Sequence, residues 1–202
     1  MRKIVLASSN SGKITEMSAI LADLNIQIIP QSHFNIPDIE ETGLSFVENA
    51  ILKARHCSLH SGLPSLADDS GLCVPILNGS PGIYSARYAG KQGDSVANIN
   101  KLLAELTEFE GEQRAAYFEC MMVMMVHPDD PVPLIAEGRV HGYIAQQKQG
   151  SYGFGYDPVF YLRQYQKTLA GISGEMKNKI SHRANALAIL KRQLVSALSL
   201  ST

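Results

Sequence analysis

The sequence predicts an α/β fold, and three observations lead to this prediction. Short runs rich in β-branched residues alternate with segments whose apolar residues recur every three or four positions. Strand-like and helix-like segments are mixed from one end of the chain to the other. The chain has 202 residues, of which 45% are hydrophobic, and this is enough for one good-sized core. We therefore expect a single α/β domain over residues 1–202.

The chain begins with a predicted strand, loop, helix and second strand. Residues 3–7 are β-rich, and the small residues at 8–12 interrupt that run. From Lys13 onward the apolar residues recur at helical spacing, which predicts the first helix. Residues 26–30 predict a second strand that ends at Pro30.

The ends of the second helix are indicated by local signals. Ser45 and Glu48 have the spacing of a capping box, in which each side chain bonds the other's backbone N–H group. Gly62 follows the apolar pattern and can adopt the backbone conformation that ends a helix. We therefore predict a helix over about residues 46–60, followed by a strand at 63–67.

The second half of the chain predicts two more helices and a hairpin. Residues 95–107 carry an apolar helical face. The β-rich runs 115–126 and 133–145 flank the turn sequence HPDDP and predict a β-hairpin. Near the C-terminus, Ser181 is a plausible cap for an amphipathic helix.

The overall composition excludes some functional classes. The formal net charge is −1, so no global field attracts the protein to nucleic acid or to an anionic membrane. No segment approaches the roughly 20 apolar residues that a membrane span needs. There are three cysteines, and this odd number without a Cys-x-x-Cys pair indicates a reducing, cytoplasmic location.

A candidate phosphate-binding loop lies between the first strand and the first helix. The N-terminus of a helix offers unpaired N–H groups and positive potential, and small residues allow close approach to the backbone. The segment does not match the Walker consensus, and an ordinary strand-to-helix turn is the alternative. The candidate phosphate ligands are Ser8, Ser9, Asn10, Ser11, Gly12 and Lys13.

Two pairs of acidic residues are candidate magnesium ligands. Mg²⁺ prefers a few carboxylates together with water and substrate phosphates, and two carboxylates from separate segments would suit it. The pairs are Glu40 with Glu41, and Asp68 with Asp69. A solvated loop is the alternative for the glutamates, and an Asx turn is the alternative for the aspartates. If Asp68 and Asp69 lie on a strand, their side chains point to opposite faces.

Further polar residues could contact a nucleotide. Lys53 follows Asn49 by four positions on the second predicted helix and could reach a phosphate, although a lysine on the surface is equally compatible with the sequence. The glycines beside the aromatic residues of segment 153–158 suit the stacking of a flat ring, with a β-turn as the alternative. The basic residues of segment 177–183 could donate hydrogen bonds to a base, with a basic helix cap as the favoured alternative. The base-binding candidates are Phe154, Gly155, Tyr156, Asp157, Lys177, His182 and Arg183.

Six segments, in this order, resemble the inosine triphosphate pyrophosphatase family. They are ASSNSGK, EETGLSFVENAILKA, LADDSGL, PGIYSARYAG, GFGYDPVF and KNKISHRANAL, and the resemblance extends over about residues 3–190. It implies an elongated fold with a long mixed sheet and two lobes around a central cleft. It also implies a homodimer that uses Mg²⁺ to hydrolyse ITP, dITP and XTP to the monophosphate and pyrophosphate.

The resemblance also implies a role for each candidate residue. Asp69 is implied to be the general base and a metal ligand, with Glu41 as the preferred second ligand and Glu40 and Asp68 as further candidates. Ser70 is implied to touch the substrate, Lys13 and Lys53 to bind phosphates, and the aromatic and basic candidates to hold the base. We expect the metal and lysines near Asp69 to favour its ionised form.

Two other functions are compatible with parts of the sequence. A Maf-like house-cleaning pyrophosphatase would act on other modified nucleotides, and a regulatory module would bind nucleotides without hydrolysing them. The segments SHR and GFGYDP favour the purine enzyme over the first of these. The presence of Asp69 together with Glu40 or Glu41 argues against the second, because nucleotide binding alone does not need these acidic residues.

Overall fold

The computed structural model describes residues 2–8, 11–22 and 26–199, with the side chains at 2, 11, 16, 20 and 196–199 left out of the description. In those residues five α-helices and seven β-strands are mixed along the chain, together with several short 3-10 turns. The elements are β1 (Arg2–Leu6), α1 (Ser11–Leu21), β2 (Ile26–Pro30), α2 (Phe46–Ser61), β3 (Ser65–Cys73), α3 (Ser95–Glu105), β4 (Ala115–Met125), β5 (Leu134–Ile144), β6 (Phe160–Leu162), β7 (Lys167–Thr168), α4 (Gly174–Ile180) and α5 (His182–Ser199).

The described strands form one mixed sheet in the order β2-β1-β3-β4-β5-β6-β7. Strand β1 is parallel to both β2 and β3, whereas β6 is antiparallel to β5 and β7. The α/β class and the mixed sheet are therefore confirmed. The two long runs predicted as a hairpin are the neighbouring strands β4 and β5, and the Asp130 carboxylate accepts hydrogen bonds from two N–H groups of the connecting loop.

Helix α2 begins and ends where the sequence predicts. The Ser45 hydroxyl caps the first turn by accepting a hydrogen bond from the Glu48 N–H, and it donates to the Glu48 carboxylate. Gly62 adopts the left-handed conformation (φ 67°), and its N–H group bonds the Ser58 carbonyl. These are local interactions, which is why the sequence alone locates them.

The chain divides into two compact units. The first comprises the described parts of Met1–Asp69, Cys120–Gly138 and Arg183–Thr202. Within it, the buried residues of β1, β3 and β4 alternate between two apolar clusters. One cluster includes Leu66 with residues of α1 and α5, and the other includes Ala67 with residues of α2. Successive residues of β3 thus face different helices.

The second unit comprises Ser70–Glu119 and Arg139–His182. Its apolar core includes Leu102 of α3, Phe118 of β4 and Phe160 of β6. The sequence did not predict β6, β7 or α4, which have only two to seven residues each. Such short elements carry little periodicity.

No helix in the described part of the chain has both the length and the hydropathy to cross a membrane.

Candidate active site

Strand β3 continues through both aspartates, so the prediction of a strand only over 63–67 was wrong. The Asx turn considered for this segment is also excluded, because Asp68 and Asp69 lie in the middle of β3. Both are buried, with 1% and 6% of their surface exposed. Burying two carboxylates is costly unless cations or hydrogen-bond donors meet them, and each meets different partners.

Asp68 is held by two cations from α1 and α5. The Lys13 ammonium lies 2.9 Å from Asp68 Oδ2, and Arg183 Nε lies 3.6 Å from the same oxygen. Burial by itself would raise the pKa of Asp68, but the charges of Lys13 and Arg183 outweigh it and hold the pKa far below the usual range. Asp68 is therefore a buried anion that fixes two basic side chains.

Asp69 is held by α2 on the other face of the strand. The Lys53 ammonium lies 2.8 Å from Asp69 Oδ1 and also 2.8 Å from Glu41 Oε1. Burial raises the pKa of Asp69, Lys53 lowers it, Glu41 raises it again, and the net direction is upward. The lysines act in the expected direction, but burial outweighs them. The expectation that a bound metal ion and the lysines together favour the ionised form stays a prediction.

A further polar residue, Asn49, contacts Asp69 and was not among the predicted site residues. Its side chain is fully buried, and its Nδ2 group donates to Asp69 Oδ2 at 3.4 Å. Its Oδ1 atom accepts a hydrogen bond of 2.8 Å from the Gly43 N–H. The spacing of four residues between Asn49 and Lys53 was the signal in the sequence, because it places both side chains on one face of α2.

The four candidate metal ligands are not brought together. Glu41 and Asp69 converge on the Lys53 ammonium, whereas Asp68 bonds Lys13 on the other face and Glu40 is exposed. Among the described residues, no group of three or more Asp, Glu, His or Cys side chains could hold a metal ion. Two carboxylates that share one cation nevertheless fit Mg²⁺, which takes its remaining ligands from water and phosphate.

The candidate phosphate loop is described in part. The Ser8 N–H donates to the Leu6 carbonyl at 2.9 Å, and Ser11 and Gly12 are the first two residues of α1. Lys13 follows in the first turn of the same helix. The predictions for Ser9 and Asn10 lie outside the described residues. The predicted sequence of strand, loop and helix is confirmed, with the helix beginning two residues earlier than expected.

In the second unit, Lys177 and Asp157 form a buried ion pair. The Lys177 ammonium lies 2.7 Å from Asp157 Oδ2 and 4.3 Å from the centre of the Phe154 ring. Asp157 Oδ2 also accepts a hydrogen bond of 2.9 Å from the Phe154 N–H. A Cβ atom at Gly153 would lie only 2.0 Å from this oxygen, so the turn requires glycine. Phe154 itself is 45% exposed.

The other predicted base-binding residues have different surroundings. The Tyr156 hydroxyl donates to the Ser85 carbonyl at 2.9 Å inside the core, which is a structural contact. Gly155 lies in the same turn with a positive φ of 59°. The His182 ring stacks on Phe118 with the ring centres 4.8 Å apart. Ser70 is half-buried on β3.

The chain matches the model of the Ham1 family over residues 4–193. It is 56% identical to the dITP/XTP pyrophosphatase of Thioalkalivibrio sulfidiphilus, with 95% of this chain and 98% of the relative covered. It is 55% identical to the dITP/XTP pyrophosphatase of Legionella pneumophila strain Lens, with 96% and 99% covered. Its fold is similar to a solved HAM1 protein from Coxiella burnetii, with a TM-score of 0.92, 49% identity and 97% and 100% of the two chains covered. The chain therefore belongs to the Ham1 family.

Proposed function

We propose that the protein hydrolyses non-standard purine nucleoside triphosphates, namely dITP, XTP and ITP, to the monophosphate and pyrophosphate. The observation that carries this proposal is the identity of about half of all residues, over nearly the full length, with relatives named dITP/XTP pyrophosphatase. The polar cluster around Asp69 supplies the groups that such a reaction needs. We propose that residues 1–202 form one catalytic domain.

The first unit carries the residues that suit the triphosphate. Phosphoryl chemistry depends on positioning and on neutralising negative charge. Lys13 and Lys53 offer two ammonium groups, and each is now paired with a carboxylate that a phosphate oxygen could replace. Glu41 and Asp69 would hold Mg²⁺, which supplies additional positive charge against the phosphates when bound.

Asp69 is the proposed general base. Its carboxylate is buried and oriented by Lys53 and Asn49, and it would orient or deprotonate the water that attacks the α-phosphorus. Pyrophosphate is then the leaving group.

The second unit carries residues that suit the purine base. The exposed Phe154 ring offers a surface for stacking, and the buried pair of Lys177 and Asp157 lies beside it. A site that donates hydrogen bonds to a 6-oxo group leaves its donors unpaired against the 6-amino group of adenine. Together with Ser70 and His182, these residues are proposed to contact the nucleoside. Arg183, the remaining candidate for the base, is 2% exposed and lies beside Asp68 in the first unit, and its contact with the base stays a proposal.

Pyrophosphate release measured on a panel of nucleotides tests this function. With Mg²⁺ present, we expect rapid release from dITP, XTP and ITP and slow release from ATP and GTP. Comparable rates with ATP would contradict the proposed base recognition. Activity restricted to modified pyrimidines or methylated bases would instead favour a Maf-like enzyme, and binding without release would favour a regulatory module.

A homodimer in the cytoplasm is the proposed state of the protein. The dimer rests on the resemblance to the pyrophosphatase family, and light scattering after gel filtration tests it by giving the molar mass. The location is supported by the three cysteines, which are all buried and suit a reducing compartment.

A further inference from the structure

Both polar atoms of the Asn49 side chain, Oδ1 and Nδ2, form hydrogen bonds inside the first unit. Its side chain is fully buried, so an unused polar atom would be costly. The Gly43 N–H can only donate, so the atom facing it at 2.8 Å is the oxygen Oδ1. The Nδ2 group is thereby directed toward Asp69 Oδ2, at 3.4 Å.

The loop that carries Glu40 and Glu41 lies directly against α2 at Gly43. A Cβ atom at this position would lie 2.6 Å from the Glu48 Cβ atom and 2.7 Å from Asn49 Oδ1. Glu41 is two residues before this contact. The hydrogen bond from Gly43 to Asn49 therefore fixes the position of the loop that carries Glu41.

Helix α2 thus contacts both carboxylates of the proposed metal site. Lys53 bonds Asp69 Oδ1 and Glu41 Oε1, and Asn49, one turn earlier, bonds Asp69 Oδ2 and the Gly43 backbone. Lys53 uses the same two carboxylates that a divalent cation would bind, so it competes with that cation. Asn49 bonds a different oxygen and a backbone group, so its contacts are compatible with a bound cation.

We infer that Asn49 is a positioning residue that sets the spacing between the Glu41 and Asp69 carboxylates and thereby the affinity of this pair for a divalent cation. The effect of Asn49 on catalysis rests on the proposed function, whereas its effect on cation affinity does not. It assigns Asn49 no contact with the substrate, and its effect is exerted through the two carboxylates.

Mn²⁺ binding without nucleotide, measured by electron paramagnetic resonance of the free ion, tests this inference. For N49A we expect affinity to fall about tenfold or more relative to the wild type, as is typical when a residue that orients a metal ligand is removed. The matched control is S58A, which removes another buried hydrogen bond of α2, from the Ser58 hydroxyl to the Leu63 carbonyl at 2.9 Å. S58A should bind Mn²⁺ like the wild type.

An N49A protein that binds Mn²⁺ within about twofold of the wild type would overturn the inference, because the expected effect is at least tenfold. A wild type that binds no Mn²⁺ would overturn it as well. If N49A does not fold, N49S serves instead, because its shorter side chain removes the donor to Asp69 Oδ2 and still places a hydroxyl in the buried site. N49S should likewise bind Mn²⁺ about tenfold or more weakly than the wild type, and an affinity within about twofold of the wild type would overturn the inference.

The two proposals fail in different ways. If the wild type releases no pyrophosphate from dITP but N49A binds Mn²⁺ more weakly than S58A, the proposed function is wrong and the role of Asn49 stands. If the wild type is active and N49A matches S58A in both Mn²⁺ affinity and kcat, Asn49 is only a structural residue.

Discussion

Asp68 and Asp69 are neighbours on β3 and are chemically identical, yet their surroundings differ. Asp68 faces α1 and α5 and meets the cations of Lys13 and Arg183. Asp69 faces α2 and shares a single cation, Lys53, with the Glu41 carboxylate. The pKa of Asp68 is consequently lowered, whereas burial raises the pKa of Asp69. The alternation of a strand thus separates a structural anion from a candidate base within one residue.

Exchanging Asp69 for asparagine should have the largest effect on activity. D69N keeps the shape of the side chain but removes the group that accepts a proton, so kcat for dITP should fall about a hundredfold or more. Circular dichroism should show the fold retained. Turnover close to that of the wild type would show that Asp69 is not the base.

The same exchange at Asp68 should act mainly on stability. D68N removes the buried carboxylate that pairs with half-buried Lys13 and buried Arg183, and breaking a buried ion pair costs about 3–5 kcal/mol. Urea unfolding measures this loss. D69N is the control, because Lys53 retains Glu41 as a partner and the loss should be smaller. Equal losses in the two variants would contradict the proposed division of roles.

The pH dependence of stability should differ in sign for the two residues. The folded-state pKa of Asp68 is lowered, so its contribution is present above the unfolded value of about 4 and is lost as pH falls below it. The folded-state pKa of Asp69 is raised, so its carboxyl group costs stability as pH rises above about 4.

Urea midpoints measured from acidic to neutral pH with a chelator present check this difference. The stability difference between the wild type and D68N should shrink toward acidic pH. The difference between the wild type and D69N should become less favourable to the wild type as pH rises. Parallel curves for the two variants would contradict the opposite directions of the two pKa shifts.

A small effect is expected when the N-cap of α2 is removed. Removing the Ser45 hydroxyl leaves the Glu48 N–H without its cap, so S45A should lose about 1 kcal/mol of stability. Lys53 and Asn49 lie one or more turns further along α2, so kcat for dITP should remain close to the wild-type value. A large loss of kcat would show that the whole helix must be rigid for Asp69 to act.

Helix α2 shows what the sequence can predict. Ser45, Glu48 and Gly62 specify the two ends of the helix through contacts within a few residues, and both ends were predicted. The class of fold and the order of strand, loop and helix around Lys13 follow equally from local patterns. The family resemblance correctly indicated the fold and the Ham1 relatives, because its segments extend over nearly the whole chain.

The environment of β3 shows what the sequence could not predict. Two adjacent aspartates favour a turn by local rules, whereas Lys13, Lys53 and Arg183 allow them to lie on a buried strand. These cations are distant from β3 in sequence. The raised pKa of Asp69 and the role of Asn49 depend on burial and on the packing of α2. The spacing of Asn49 and Lys53 indicates only that the two side chains share a face of the helix.

The alternating side chains of β3 specify its alignment with β1. Leu66 and Ala67 are both buried on opposite faces, so a shift by one residue would exchange a large and a small side chain between the two apolar clusters. The same shift would bring Ala67 or Asp69 to the position of Asp68, and the geometry at Lys13 and Arg183 would be lost. The ion pairs of Asp68 therefore act together with apolar packing in selecting one register, so the charges of the candidate site also align the strand that carries it.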